Sequence, residues 1–82
     1  MPVYVDDAFI PYRRMLMSHM VADSLEDLHN MADIIGVNKR HFQNHSKYPH
    51  YDICKSKRDL AIKHGAIEVT TKELISLMRY TN

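Results

Sequence analysis

Apolar and polar positions change rhythm several times along this chain, and each rhythm predicts an element. Val3-Tyr4-Val5 is β-branched and aromatic and is cut off by Asp6-Asp7, which predicts a short strand carrying carboxylates at its carboxyl end. Pro11 and Tyr12 read as a turn. Met15 to Val21 is mostly apolar, interrupted by Ser18 and His19; it is assigned as a strand, although its length and its methionines also suit a helix.

The clearest helical rhythm follows. Asp23 suits an N-cap, with Glu26 as its capping-box partner. Leu25, Leu28, Ala32 and Ile35 then recur at three-to-four spacing, and Gly36 stands where a left-handed C-cap belongs, so residues 24–35 are predicted helical. Val37 leads to a short strand around His41-Phe42-Gln43, and Asn44 to Pro49 reads as a loop. Order resumes at His50-Tyr51-Asp52-Ile53. Lys55 to His64 is predicted helical with Leu60 and Ala61 inward, basic residues outward and Gly65 as its stop. Ala66 to Val69 reads as a strand. Thr70 with Glu73 forms a second capping box that opens a last helix through Met78, and Tyr80 to Asn82 are expected to fray.

Strands alternating with helices imply an α/β fold: a small single-domain sandwich over residues 1–82, with a short, partly parallel sheet, about three helices, and βα units joined by right-handed crossovers. At 82 residues the core is marginal, which makes a homodimer a fair expectation.

Composition narrows the function classes. Apolar residues make up 45% and charged residues 26%, ordinary for a folded globular protein. A net charge of +1 gives no field that favours DNA or a membrane, although the six histidines would make the surface basic at lower pH. The single cysteine, Cys54, forms no internal disulfide and fits a reducing compartment. The amino end lacks the pattern of a signal peptide, and no apolar run approaches the roughly 20 residues of a membrane span, so the expected location is cytoplasmic. There is no Walker loop, no GxGxxG and no paired-cysteine zinc pattern.

The candidate chemistry is histidine beside aspartate, the side chains that bind metals and move protons near neutral pH. Asp6 and Asp7 can hold Mg²⁺ or Mn²⁺ for phosphoryl chemistry, or serve only as turn and capping residues. His50 and Asp52 face the same side if their segment is extended, with His50 as metal ligand or general base and Asp52 as its orienting carboxylate or a helix cap. His19, set among apolar residues, is a further ligand or proton carrier, or a hydrogen-bonded core histidine. These three stretches can converge at the carboxyl ends of the strands, where open α/β sheets bind ligands.

Lys55, Ser56, Lys57 and Arg58 open a helix whose amino end attracts phosphate, with Tyr51 nearby for a base; the plainer alternative is a solvated charged face. Lys39, Arg40 and Lys47, interleaved with Phe42, Tyr48 and Tyr51, extend a strip that suits single-stranded nucleic acid. His41 and His45 are spaced by four but not on a helix. His29 is expected on the exposed face of its helix and His64 near the end of the next. Cys54, at a helix start, can have a lowered thiol pKa, with His50 four residues earlier as a base, but it is assigned as a buried or capping residue. The methionines read mostly as core.

Taken together, Tyr4-Val5-Asp6-Asp7, Ser18-His19-Met20, Ala22-Asp23, Ile35-Gly36, Phe42-Gln43, His50-Tyr51-Asp52-Ile53, Lys57-Arg58, Ala61, Gly65-Ala66 and Val69 resemble a small family of bacterial and phage proteins classed as a domain of unknown function. The resemblance covers almost the whole chain. It implies a stand-alone cytoplasmic protein, often phage-borne, and implies no reaction. Three functions stay open. The first is recognition of a nucleotide or nucleic-acid phosphate, with metal-dependent phosphodiester hydrolysis in which Asp6, Asp7 and Asp52 hold the metal, His19 and His50 act as ligand or proton carrier, and Lys55, Lys57 and Arg58 hold phosphate. The second is a non-catalytic module that binds a nucleotide signal or a host protein. The third is a structural protein whose His-Asp pairs tie its core together.

Overall fold

The computed structural model describes residues 2–44 and 48–81. In chain order these form β1 (Val3–Val5), β2 (Ile10–Tyr12), β3 (Met15–Ala22), α1 (Leu25–Ile35), a 3₁₀ turn (Lys39–His41), β4 (Phe42–Gln43), β5 (His50–Cys54), α2 (Lys55–Lys63), β6 (Ile67–Glu68) and α3 (Thr71–Thr81). The strands make one sheet in the order β4-β5-β3-β1-β6, with β2 paired to β3 off that path. β1 and β6 run parallel. The other described pairs are antiparallel. The fold is therefore α/β with a mixed sheet.

Alternation along β3 and β5 sets the layers, because neighbouring residues on a strand point to opposite faces. Met20, Tyr51 and Ile53 point to one face and build the main core with Val5 of β1, Leu28 of α1 and Ala61 of α2. Val21 points to the other face, where it meets Leu74 and Met78 of α3. Helices thus flank both sides of the sheet. On the second face, Met17, His19 and Asp52 line an open groove.

The helix ends follow local chemistry. Gly36 ends α1 at φ 78°, the left-handed region that glycine enters without steric cost. Ser24, rather than Asp23, is the N-cap, its Oγ accepting the Asp27 N–H at 3.1 Å. Ser24→Ala is expected to cost about 1 kcal/mol, read in thermal melting as a drop of about 4–8 °C. The Thr70–Glu73 capping box forms as expected: Glu73 Oε1 accepts the Thr70 N–H at 2.8 Å, and Thr70 Oγ1 accepts the Glu73 N–H at 3.1 Å. α3 then runs past Met78 to Thr81, and Asn82 lies outside the described residues.

Several expectations shift. Pro11 and Tyr12 belong to β2, and the turn falls at Arg13-Arg14, with Arg13 at φ 58°. No glycine or asparagine marks that turn in the sequence, so it was not legible there. His41 sits in the 3₁₀ turn, which shortens the expected strand to Phe42–Gln43. The strand expected over residues 66–69 shortens to Ile67–Glu68, and Ala66 joins the core. On α2, Ala61 is inward as expected, but Leu60 is exposed and Arg58 is buried. His45 and Lys47 of the expected loop and basic strip lie outside the described residues. Among the described residues, no helix is long and apolar enough to cross a membrane.

Candidate metal centre

Strand pairing brings the His-Asp stretches together. In the antiparallel register of β3 with β5, His19 stands opposite Asp52. His50 lies two residues earlier on β5 and so shares the face of Asp52. Asp6 immediately follows β1, and its N–H donates to the His19 carbonyl at 3.1 Å, which places it beside His19 on the other flank.

Asp6 is fully buried and supports the site from behind. Its Oδ1 accepts the backbone N–H groups of His19 at 2.8 Å and Ala8 at 3.2 Å. Its Oδ2 accepts the Thr71 hydroxyl at 3.0 Å and lies 2.7 Å from His19 Nδ1. An ionised carboxylate only accepts, so His19 Nδ1 carries the proton and donates it. That turns His19 Nε2 toward the groove. Burial pushes the Asp6 carboxyl up, but its bonds with His19 and the backbone outweigh this and hold it below the usual carboxylate range. The hydrogen bond to Asp6 raises the His19 pKa; burial opposes the shift, and the charges of Asp6 and Asp52 add to it.

His50 is oriented in a parallel way. Its Nδ1 lies 2.7 Å from the Tyr48 carbonyl, an acceptor only, so Nδ1 donates and Nε2 is the other ring nitrogen. His50 Nε2 stands 3.3 Å from Asp52 Oδ1, and His19 Nε2 stands 3.8 Å from that same oxygen. One ligand atom from each of His19, His50 and Asp52 lies within 4.8 Å of the others. Metal–nitrogen bonds near 2.0–2.1 Å put tetrahedral ligand atoms about 3.3 Å apart; the His50–Asp52 distance matches that spacing, and His19 Nε2 stands wider, at 3.8 Å. Asp52 is 43% exposed, leaving room for water or substrate at the remaining positions.

The site has two wings. A groove of about 440 Å³ is lined by His19 and Asp52 together with Tyr12, Met17, His41 and Gln43. A smaller pocket of about 280 Å³ is lined by His19 and His50 with Val21, Tyr48, Leu74 and Ile75.

Other candidates fall elsewhere. Asp7 is exposed, with Oδ1 accepting the Thr71 N–H at 3.1 Å, so Asp6 and Asp7 divide into two different hydrogen-bonding roles. Tyr51 is wholly buried with its hydroxyl 2.8 Å from His29 Nδ1, which removes it as a base-stacking surface. His29 is half-buried against Phe42 and Tyr51 rather than exposed. Lys55 pairs with Asp59 at 3.2 Å, and Lys57 lies against Gly36. Arg58 is a clamp: Nε donates to the Asp6 carbonyl at 2.7 Å, a terminal nitrogen pairs with Glu68 at 3.3 Å, and the guanidinium sits 4.7 Å from the Phe9 ring centroid. Phe9 itself takes φ 45°, an uncommon conformation for a bulky residue, in the segment that follows Asp6. Cys54 is the N-cap residue of α2; burial pushes its thiol up, but hydrogen bonds from Ser56, 3.3 Å away, and from nearby backbone bring it below its usual value.

Thr71 was missed as a site-supporting residue. Its sequence signal is that of a helix start, and its contact with Asp6 spans most of the chain.

A family described as protein of unknown function (DUF4031) matches residues 3–81. The chain belongs to that family. No curated protein and no solved structure matches. Membership in DUF4031 names no reaction, so function rests on the geometry of the centre.

The Asp6–His19 pair makes stability pH-dependent. Asp6 is lowered from 3.8, so its contribution is present above that pH and is lost as pH falls through its depressed pKa. His19 is raised from 6.5, so its contribution is complete below that pH and is lost as pH rises through its elevated pKa. The metal-free protein is expected to melt highest between these limits and to lose stability on both sides, in thermal scans with chelator present. In Asp6→Asn the decline above 6.5 is expected to flatten.

Proposed function

We propose that His19, His50 and Asp52 hold a divalent transition metal that engages the phosphate of a nucleotide or nucleic acid, with phosphodiester hydrolysis as the reaction. The observation that carries this reading is the shared orientation of the two imidazoles. Each commits Nδ1 to an acceptor behind it, Asp6 or the Tyr48 carbonyl, and turns Nε2 toward the same Asp52 oxygen. Metal-ligating histidines are oriented by second-shell acceptors in this way. A structural network accounts for the Asp6–His19–Thr71 half; what favours a metal centre is the half-exposed Asp52 carboxylate, faced by both Nε2 atoms.

Two imidazoles and a carboxylate suit Zn²⁺ or Mn²⁺ better than Mg²⁺, which prefers oxygen ligands. A bound cation would polarise a phosphoryl oxygen and acidify water. Hydrolysis would add water across one P–O ester bond, its hydroxyl going to phosphorus and its proton to the departing alkoxide. A free thiol at Cys54 fits a cytoplasmic setting, and a homodimer remains the expected assembly for so small a core.

The test is hydrolysis of bis(p-nitrophenyl) phosphate by the chelated protein after adding back Mn²⁺ or Zn²⁺. Activity that returns with metal and is abolished in His50→Ala supports the reading. Metal binding without turnover would leave a non-catalytic phosphate-binding module, and activity untouched by chelator would overturn the metal centre.

A further inference from the structure

The two wings of the centre differ in size and chemistry, and His19 lines both. Asp52 borders only the larger groove and His50 only the smaller pocket, so the metal ligands stand on the divide between them. A phosphate held at that divide would have one ester substituent directed into each wing.

We infer that the larger groove is a nucleoside subsite, and that the substrate is a phosphodiester whose nucleoside lies there while its other ester group fills the smaller pocket. This assignment rests on the metal-site reading above. Tyr12 from β2 and His41 from the 3₁₀ turn supply two rings that line the groove, with Met17 contributing apolar surface. Rings of this kind bind bases by stacking without demanding a particular one. Gln43, on β4, brings a carboxamide with both a donor and an acceptor, the combination that reads a base edge. Both ring residues are flanked in sequence by cations: Arg13 and Arg14 follow Tyr12, and Lys39 and Arg40 precede His41. The Arg13 guanidinium lies 5.4 Å from the Tyr12 ring centroid. The groove, at about 440 Å³, is of small-molecule size.

The smaller pocket has a different character. Val21, Leu74 and Ile75 make it apolar, and Tyr48 adds an aromatic surface. It offers few polar groups besides the histidines and Thr71. It suits a flat or apolar leaving group rather than a second charged phosphate. A monoester would leave one wing unused.

The experiment compares two diesters on the metal-loaded full chain: the p-nitrophenyl ester of thymidine 5′-phosphate and methyl p-nitrophenyl phosphate, which has no base. The inference predicts a preference for the thymidine ester in kcat/KM of about 10-fold or more, which is the scale of one base stacked on an aromatic ring. In Tyr12→Ala that preference collapses, mainly through KM. Tyr12 is 54% exposed, so its loss leaves the core intact. Metal affinity is measured on the same samples. Equal cleavage of the two esters, or a preference that survives Tyr12→Ala, overturns the nucleoside assignment and leaves metal-dependent hydrolysis standing. Cleavage of neither ester by protein with metal bound overturns both.

Discussion

Asp6→Ala lowers the melting temperature of the metal-free protein by at least about 12 °C. The carboxylate is fully buried and accepts from two backbone N–H groups, the Thr71 hydroxyl and the His19 ring. Alanine leaves those donors without their acceptor where water has little access, and each unsatisfied buried group costs about 1–3 kcal/mol. Breaking a buried charged pair typically costs about 3–5 kcal/mol. In a domain of this size each kcal/mol corresponds to about 4–8 °C. Asp6→Asn separates shape from charge. The two N–H groups bonded to Oδ1 orient the amide oxygen there, so the new NH₂ faces His19 Nδ1. It donates to that nitrogen and moves the ring proton to Nε2, the atom needed for metal. Asp6→Asn should therefore melt closer to wild type than Asp6→Ala yet bind metal about 10–100-fold more weakly. Thermal melting and metal titration on the two variants separate these effects.

His50→Ala abolishes stabilisation by metal. A ligand that binds only the folded state adds about 2.7 kcal/mol at 100 times its Kd, equivalent here to roughly 10–20 °C in melting temperature. Wild type should gain that much with Zn²⁺ or Mn²⁺, and His50→Ala, with two ligands left, should gain almost nothing. His50 is only partly buried, so its removal leaves the main core unbroken. If His50 were purely structural, the variant would melt lower without metal and no metal shift would exist to lose.

Much of this architecture was legible in the chain because its signals are local. Gly36 and the Thr70–Glu73 pair end and start helices through chemistry contained within a few residues. The spacing of His50 and Asp52 revealed their shared face because a strand repeats every two residues. The same rule, applied to the residue between them, puts Tyr51 on the opposite face, in the core. Expected as a ring for a base, it is buried instead, with its hydroxyl against His29. Arg58 misled for a related reason. A basic residue in a basic stretch reads as solvated, yet this one is spent on the Asp6 carbonyl, Glu68 and the Phe9 ring. The division of labour between Asp6 and Asp7 was hidden too, since it depends on Thr71, a residue 65 positions from Asp6.

The most direct measurement of the central claim is isothermal titration of Zn²⁺ and Mn²⁺ into the chelator-stripped protein, alongside Asp52→Ala. Asp52 is the oxygen that both imidazoles face, and its half-exposed position makes its replacement mild for the fold. The account predicts one ion per chain in wild type and affinity at least about 10-fold weaker in Asp52→Ala. Heat no larger than that of mixing, or binding that Asp52→Ala leaves untouched, would contradict a metal centre at His19, His50 and Asp52.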